Sequence, residues 1–278
     1  MHVTRYGSAA DFVAVAQPLL MRAEAENNLI LGIAQGLVRT PDAATGVYLA
    51  TVDSEAGVQS CALHLAPFKM VITRADRAAI TALVKHAFDA VPDLEGVSGP
   101  ERTAGDFALA WSALTGREAR LAMRLRIHEI RRIATADLPS PPGAFRRAMP
   151  ADLDVLAQWT EAFVAEARIP EPVDARRVVG DSIERARLHV WDHDGPVSMA
   201  AWAGRTPSGV RINFVYTPRE RRGRGYATAC VRALTSQQLD QGSAFCWLYT
   251  NLAADASPNI FKRIGYWPVS DVAEYYLR

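Results

Sequence analysis

The sequence predicts an α/β protein of two tandem domains, each with antiparallel strands flanked by helices. Three observations carry that reading. The chain has 278 residues, long for one compact core and comfortable for two domains. Short runs with period-two alternation are interleaved with longer runs whose apolar residues recur at helical spacing. Between the two halves lies Asp137–Ala144, DLPSPPGA, with three prolines, a serine and a glycine in eight residues. Such a stretch joins neither a helix nor a central strand and reads as a short, stiff, exposed linker. The expected domains are residues 1–136 and 145–278, with the linker at 137–144.

Composition narrows the class. Hydrophobic residues make up 49% and charged residues 22%, as in an ordinary soluble globular protein. The formal charge of +1 gives no global basic field, so neither nucleic acid nor a membrane surface is an expected partner. Cys61, Cys230 and Cys246 are odd in number and far apart, which suits neither a disulfide framework nor a metal motif and fits a reducing cytoplasm. The first residues, MHVTRYGSAADF, lack the apolar core of a signal peptide, and no run of 18 apolar residues suggests a membrane span.

In the first half, Ser8 can cap a helix through Phe12, Val13, Val15, Ala16, Leu19 and Leu20, and a second helical stretch covers Asn28–Leu37. Glu24, Glu26, Asn27 and Asn28 between them read as a solvated helix end. Gly46–Val52, Val58–Pro67 and Met70–Ile72 form an antiparallel meander with a turn at Asp53–Gly57. Ala75–Ala90 is an amphipathic helix with Ile80, Leu83, Val84, Ala87 and Phe88 on one face. Gly96–Gly99 is a short strand or loop, Glu101–Thr115 a helix, and Leu121–Ile133 a strand with an arginine-rich edge. His64 and His86 read as hydrogen-bonded core or edge residues, and His128 as solvent-facing.

The second half opens with a strand at Phe145–Ala148. Met149–Asp152 turns into a helix with Leu153, Leu156, Trp159, Phe163 and Val164 inward, and a second helix runs from Asp174 to Ala186 after a proline-marked loop, Ile169–Val173. Arg187–His193 and Pro196–Gly204 form a hairpin around Asp194-Gly195. Thr206–Gly209 turns into the next strand, and the alternation is expected to hold its phase throughout. His189 and His193 share a face at strand spacing, but no third ligand is in sight and no metal is expected.

The most informative stretch is Arg211–Ala229, RINFVYTPRERRGRGYATA. Ile212, Phe214 and Tyr216 alternate with Asn213, Val215 and Thr217 as a strand, which Pro218 ends. A basic loop follows with Gly223 and Gly225. A helix then starts with Tyr226, Ala227, Cys230, Val231 and Leu234 on one face. Strand, glycine loop and helix make a phosphate cradle: glycine lets a ligand approach the backbone, and the first helical N–H groups point outward at the positive end of the dipole. Beyond this helix, Gly242 is a C-cap, Ser243–Tyr249 a buried strand and Trp267–Tyr276 a final strand.

Arg222-Gly223-Arg224-Gly225-Tyr226-Ala227 resembles R-x-x-G-x-A, the acyl-CoA pyrophosphate loop of the GNAT N-acetyltransferases. Ser257–Tyr266 is similar to the family pattern S-N-x-x-Y-x-x-x-G-Y/F, with Pro258 at the usual asparagine and Phe261 where tyrosine is common. The opening of the second half, strand then A-x-P-x-D-type turn then helix, is also similar to a GNAT start. The element order of the first half echoes the family without its glycine loop, the corresponding turn being Thr73-Arg74-Ala75-Asp76. The resemblance implies a mixed, mostly antiparallel GNAT-type sheet in 145–278; for 1–136 it leaves two readings, a degenerate, cofactor-less relative or an unrelated α/β domain.

The resemblance further implies acetyl-CoA as cosubstrate and an amine acceptor attacked directly in a ternary complex. Cofactor binding falls by resemblance on Val215, Tyr216, Thr217, Arg222, Gly223, Arg224, Gly225, Tyr226, Ala227, Thr228, Asn251 and Phe261. Catalytic positions are Val215, whose backbone would serve the oxyanion, Tyr249 and Phe261. The family tyrosine is often proposed to protonate the leaving thiolate, and Phe261 has no proton to give. A thiol of pKa ~8.5 leaves without a strong acid, while general acid help is worth ~10²–10⁴-fold. Tyr249, Tyr216 or a water could take the role. Glu161, Glu166 and Glu220 are candidate bases only by nearness. The alternative is a CoA-binding module that transfers nothing, a sensor or scaffold.

Overall fold

The computed structural model describes residues 1–40, 46–133, 140–169, 172–253 and 258–278. The chain divides into two compact units. Met1–Ile127 with Val269–Arg278 forms the first, and His128–Pro268 the second.

The first unit runs β1 (His2–Arg5), α1 (Ala9–Leu20), α2 (Asn28–Arg39), β2 (Tyr48–Ser54), β3 (Gly57–His64), β4 (Met70–Ile72), α3 (Arg77–Ala90), β5 (Gly96–Pro100), α4 (Glu101–Thr115) and β6 (Ala119–Ile130). β1, β2, β3 and β4 are successive antiparallel neighbours. β4 and β5 are parallel, Met70 opposite Val97 and Val71 opposite Ser98. One sheet face packs Ile80, Leu83 and Phe107 of α3 and α4, and the other packs Phe12, Leu20 and Leu31 of α1 and α2. Ser8 accepts from Asp11 N at 3.1 Å as the N-cap foreseen for α1. His64 is buried and His86 Nδ1 bonds Tyr48 Oη at 2.9 Å. His128 corrects its reading: it is buried, although arginines surround it in the sequence.

The second half of the chain repeats the order: β7 (Ala144–Arg147), α5 (Leu153–Glu166), α6 (Ala175–Glu184), β8 (Leu188–Asp192), β9 (Pro196–Ala203), β10 (Gly209–Tyr216), α7 (Tyr226–Asp240), β11 (Phe245–Asn251), α8 (Pro258–Ile264) and β12 (Trp267–Leu277). β7 to β10 are antiparallel neighbours, and β10 and β11 are parallel. Cys230, Val231 and Leu234 of α7 pack with Val210, Ile212, Cys246 and Leu248 on one face. Leu156 and Val179 of α5 and α6 pack with Val190, Met199 and Tyr216 on the other. The hairpin at Asp194-Gly195 forms with φ of 56° and 109°, the left-handed pair that such a tight turn needs.

The last strand of each half departs from the sequence reading. β12 was expected to end the second half, but Val272–Tyr276 pairs antiparallel with Pro100–Gly96 of β5, inside the first unit. Conversely, the end of β6, from His128, counts with the second unit, where Ile130 is in the core. The linker read at 137–144 is described only from Ser140. There Trp191 Nε1 donates to Pro142 O at 3.0 Å, so this segment is tied to β8 rather than free.

Candidate functional site

The site is built where β10 and β11 part. The two strands are in register over Gly209–Arg211 and Phe245–Trp247, although β10 continues to Tyr216 and β11 to Asn251. The cause lies in β10. Its pairing with β9 advances three residues from Asn213 to Tyr216 while β9 advances two, Ala201 to Met199. One extra residue is a β-bulge, which bends and twists the strand that carries it. Phe214 holds a φ of 47°, a left-handed conformation rare for a bulky side chain. This corrects the expected clean alternation. Ile212 packs on the α7 face, whereas Phe214 and Tyr216 pack on the α5 face, with Phe163 edge-on to Phe214 at 5.6 Å.

β10 leads at its end into Thr217–Gly225. Thr217 turns its hydroxyl inward to Ser198 Oγ at 2.8 Å. Arg219–Arg221 make one 3₁₀ turn, and Gly223 and Gly225 follow with φ of 76° and 83°. An L side chain is strained in that conformation. Gly225 is the N-cap of α7 and offers no side chain, so the first N–H groups of α7 receive no side-chain cap. Space beside Gly223 is open within 4 Å, and Pro141 lies 3.9 Å from where a Cβ on Gly225 would stand. The equivalent helix of the first unit is closed instead. There Asp76 Oδ1 accepts from Ala79 N at 2.8 Å, putting a carboxylate where an anion would bind.

The sequence-selected residues fall into three groups. Val215, Tyr216 and Thr217 with Arg222–Thr228 are together, at the end of β10, in the loop and in the first turn of α7. Arg222 is positioned by three partners: Nε donates to Thr217 O at 2.9 Å, Nη2 to Glu166 Oε2 at 2.7 Å, and the guanidinium lies 5.5 Å from the Tyr216 ring centroid. Arg219 Nε reaches Glu166 Oε1 at 3.3 Å. Burial alone would raise the Glu166 carboxyl, but its hydrogen bonds from Arg222 and Arg219 hold it below the usual carboxylate range. Glu166 is thus engaged by the basic loop, while Glu161 and Glu220 are exposed. Tyr226 is buried and its hydroxyl pairs with His193 Nδ1 at 2.7 Å.

Asn251 forms the second group. Its Nδ2 donates to Ala167 O at 3.1 Å and its Oδ1 accepts from Ala253 N at 2.8 Å, joining the end of β11 to the end of α5. Tyr249 is half-buried on the same β11 face, near Arg211. Phe261 stands apart. It is buried in the α7 core, its ring edge-on to Tyr266 at 6.0 Å. Tyr266 in turn bonds Thr235 Oγ1 at 2.8 Å, and burial pushes its hydroxyl well up. Ser257 lies outside the described residues.

Four features were not foreseen: the bulge at Phe214, the Glu166 link to the loop, the His193–Tyr226 bond, and Arg211 with its neighbours on β10 and β11. Burial pushes the Arg211 guanidinium down, with Tyr249 opposing. His189 and His193, paired in the sequence reading, have separate roles. His189 stacks on Phe145 at 5.0 Å and 3°. Among the described residues no group of three or more His, Cys, Asp or Glu is placed to hold a metal, and no helix is long and apolar enough to cross a membrane.

Residues 191–276 match the family model of FR47-like protein. No curated protein matches the chain. Among solved structures, a GNAT-family acetyltransferase from Colwellia psychrerythraea covers 100% of both chains at 12% identity and a TM-score of 0.59. A GCN5-related N-acetyltransferase from Sphaerobacter thermophilus covers 99% of this chain and 94% of its own, at 17% identity and 0.62. A Drosophila protein covers 99% and 98%, at 10% identity and 0.64. Residues 191–276 are therefore an FR47-like, GNAT-type segment, and the chain as a whole has the mixed α/β fold of the GNAT acetyltransferases.

Proposed function

We propose that the second unit is an N-acyltransferase that moves an acetyl group from acetyl-CoA to a primary amine by direct attack in a ternary complex. The observation that carries this reading is the opening between β10 and β11 beside an uncapped helix N-terminus. The bulge at Phe214 separates the strands, and the loop that follows β10 presents glycine backbone to the same end. Acetyl-CoA fits this chemistry: its pyrophosphate suits the N–H groups from Arg222 to Thr228, and its thioester supplies an activated acyl group.

The chain's own residues then divide the work. The loop N–H groups and Arg222 hold an anion. Backbone groups of Val215 and Thr217, beyond the paired residues of β10 and β11, bind an extended amide-bearing arm as an added strand would. An N–H at Val215 faces the place where negative charge develops. Holding both partners together is the main catalytic effect, since orientation alone supplies a large share of a barrier. Proton removal falls to water, because Glu166 is committed to Arg219 and Arg222. A proton for the leaving thiolate comes from Tyr249, Tyr216 or a water, Phe261 having none to give. That missing hydroxyl, on a ring packed into the core, is the observation that favours the second reading, a CoA-binding sensor.

The first unit repeats the order of elements, and Asp76 blocks its helix; both support a degenerate half that binds no cofactor. Cytoplasmic location is part of the proposal and rests on three buried free cysteines. The test is calorimetric titration with acetyl-CoA and CoA, followed by thiol release across a panel of amines. Micromolar binding with turnover supports the enzyme. Binding without turnover supports the sensor, and no binding overturns both.

A further inference from the structure

The face of β10 and β11 turned away from α7 carries buried polar atoms that have no partner among the described residues. Arg211 and Trp247 are cross-strand partners in the parallel register, so their side chains leave the sheet on one side. Arg211 Nε and Trp247 Nε1 are buried N–H donors, and neither has an acceptor among the described residues. Two residues along β10, Asn213 Oδ1 is a buried acceptor without a donor among the described residues. Strand periodicity sets Asn213 on the side of Arg211. Buried polar groups are nearly always hydrogen-bonded, and three such orphans on adjoining positions of one face call for a partner. Arg211 and Asn213 are only half-buried as residues, so the patch is open at one side while these atoms stay dry. Trp247 is held in place, its ring lying 2.8 Å from where a Cβ on Gly209 would be.

We propose that Arg211, Trp247 and Asn213 bind an acceptor that carries a carboxylate beside its amine, an α-amino acid or a close analogue. The carboxylate takes the N–H groups of Arg211 and Trp247, and the amine places an N–H on Asn213 Oδ1. This assignment rests on the acyl-transfer reading above. The count and the signs match: two donors for one carboxylate and one acceptor for one amine. A fixed arginine charge also disfavours a bare polyamine. Asn213 immediately precedes Phe214, where β10 leaves its register, so the amine is delivered to the mouth of the opening. Transfer forms the bond from nitrogen to the acyl carbon and breaks the carbon–sulfur bond. Sulfur keeps that electron pair, and water accepts the proton lost by nitrogen.

The test compares paired acceptors, each an amino acid and the amine left by its decarboxylation: alanine with ethylamine, phenylalanine with phenethylamine, lysine with cadaverine. Saturation-transfer NMR on the CoA-loaded protein reads binding, and thiol release from acetyl-CoA reads transfer. The expected result is a preference of about tenfold or more for at least one amino acid over its amine, expressed in KM, because a site built for a polar group rejects the analogue that lacks it. The ratio should fall towards one in Arg211→Gln and recover in part in Arg211→Lys, with CoA affinity reporting that each variant is folded. CoA binding with no carboxylate preference, or a preference that survives Arg211→Gln, overturns the acceptor assignment alone. Failure to bind CoA overturns the acyl-transfer reading as well. A preference for succinyl-CoA over acetyl-CoA, with none among acceptors, would move the carboxylate to the acyl group and also overturn the assignment.

Discussion

Glu166, in the last turn of α5, accepts a hydrogen bond from Arg222 Nη2 at 2.7 Å and so ties the helix to the basic loop before α7. In the proposed reading the carboxylate occupies an arginine that the CoA pyrophosphate would otherwise meet. Replacing it by Glu166→Gln removes a competing charge. CoA affinity should tighten by up to about fivefold at low salt and less at high salt, the range of an exposed ion pair. The carboxyl is held low in the folded state, so the pair's contribution is present above the ordinary carboxylate range and is lost as pH falls through the depressed value. Calorimetry of both forms across salt and pH checks this. Weaker binding in Glu166→Gln would mean that Glu166 holds the arginine in its working posture instead.

Gly225 separates backbone strain from charge. Gly225→Ala adds a Cβ at φ 83° and should cost about 1–2 kcal/mol in stability with a modest loss of CoA affinity. Gly225→Asp adds the same strain and a carboxylate at the helix N-terminus, and should abolish CoA binding while the fold persists. Equal affinities in the two variants would show that no phosphate rests there.

Phe261→Tyr would restore the hydroxyl that the family pattern carries, but the ring is buried against Tyr266. Adding an unpaired hydroxyl to that core should cost roughly 1–3 kcal/mol and leave the transfer rate no higher. Thermal melts and thiol-release rates measure the two effects. A rate gain of about tenfold or more would place the ring edge at the leaving sulfur.

His189 should make the second unit sensitive to acid. Burial holds its imidazole down to about 4, with the charge of Arg147 acting in the same direction. The folded form keeps it neutral, while the unfolded chain takes up a proton near pH 6.5. Its contribution is therefore intact above pH 6.5 and is lost progressively towards pH 4. Urea unfolding of His189→Leu should show up to about 3 kcal/mol less acid sensitivity over that interval than the wild type. Identical pH slopes would mean that other groups dominate.

The glycine loop and the Asp194-Gly195 hairpin were legible because their backbone demands specific residues, and the sequence advertises them. The bulge was not. Ile212-Asn213-Phe214-Val215-Tyr216 is a run of strand-forming residues with no glycine or proline in it, and nothing in side-chain pattern reports an extra residue in the ladder. Without the bulge, Ile212, Phe214 and Tyr216 looked like one face when they serve two. The sequence shows β12 as a strand at the end of the second half but not that it pairs with β5, since its alternation says which side is apolar and not which strand lies beside it. Arg211 was passed over because a strand arginine normally means solvent, and only the burial of its Nε marks it out. Asp76 could have been found, as an aspartate directly before a helical run is an N-cap signature.

The pairing of β12 with β5 sets a timetable for synthesis. Residues 269–278 belong to the first unit yet are translated after the whole second unit. While the chain grows, β5 stays an open edge, its backbone donors and acceptors unanswered through the translation of some 170 further residues. Domains made in order usually fold in order; here the half begun first is finished last, and a chaperone that shields strand edges has its longest window on Gly96–Pro100.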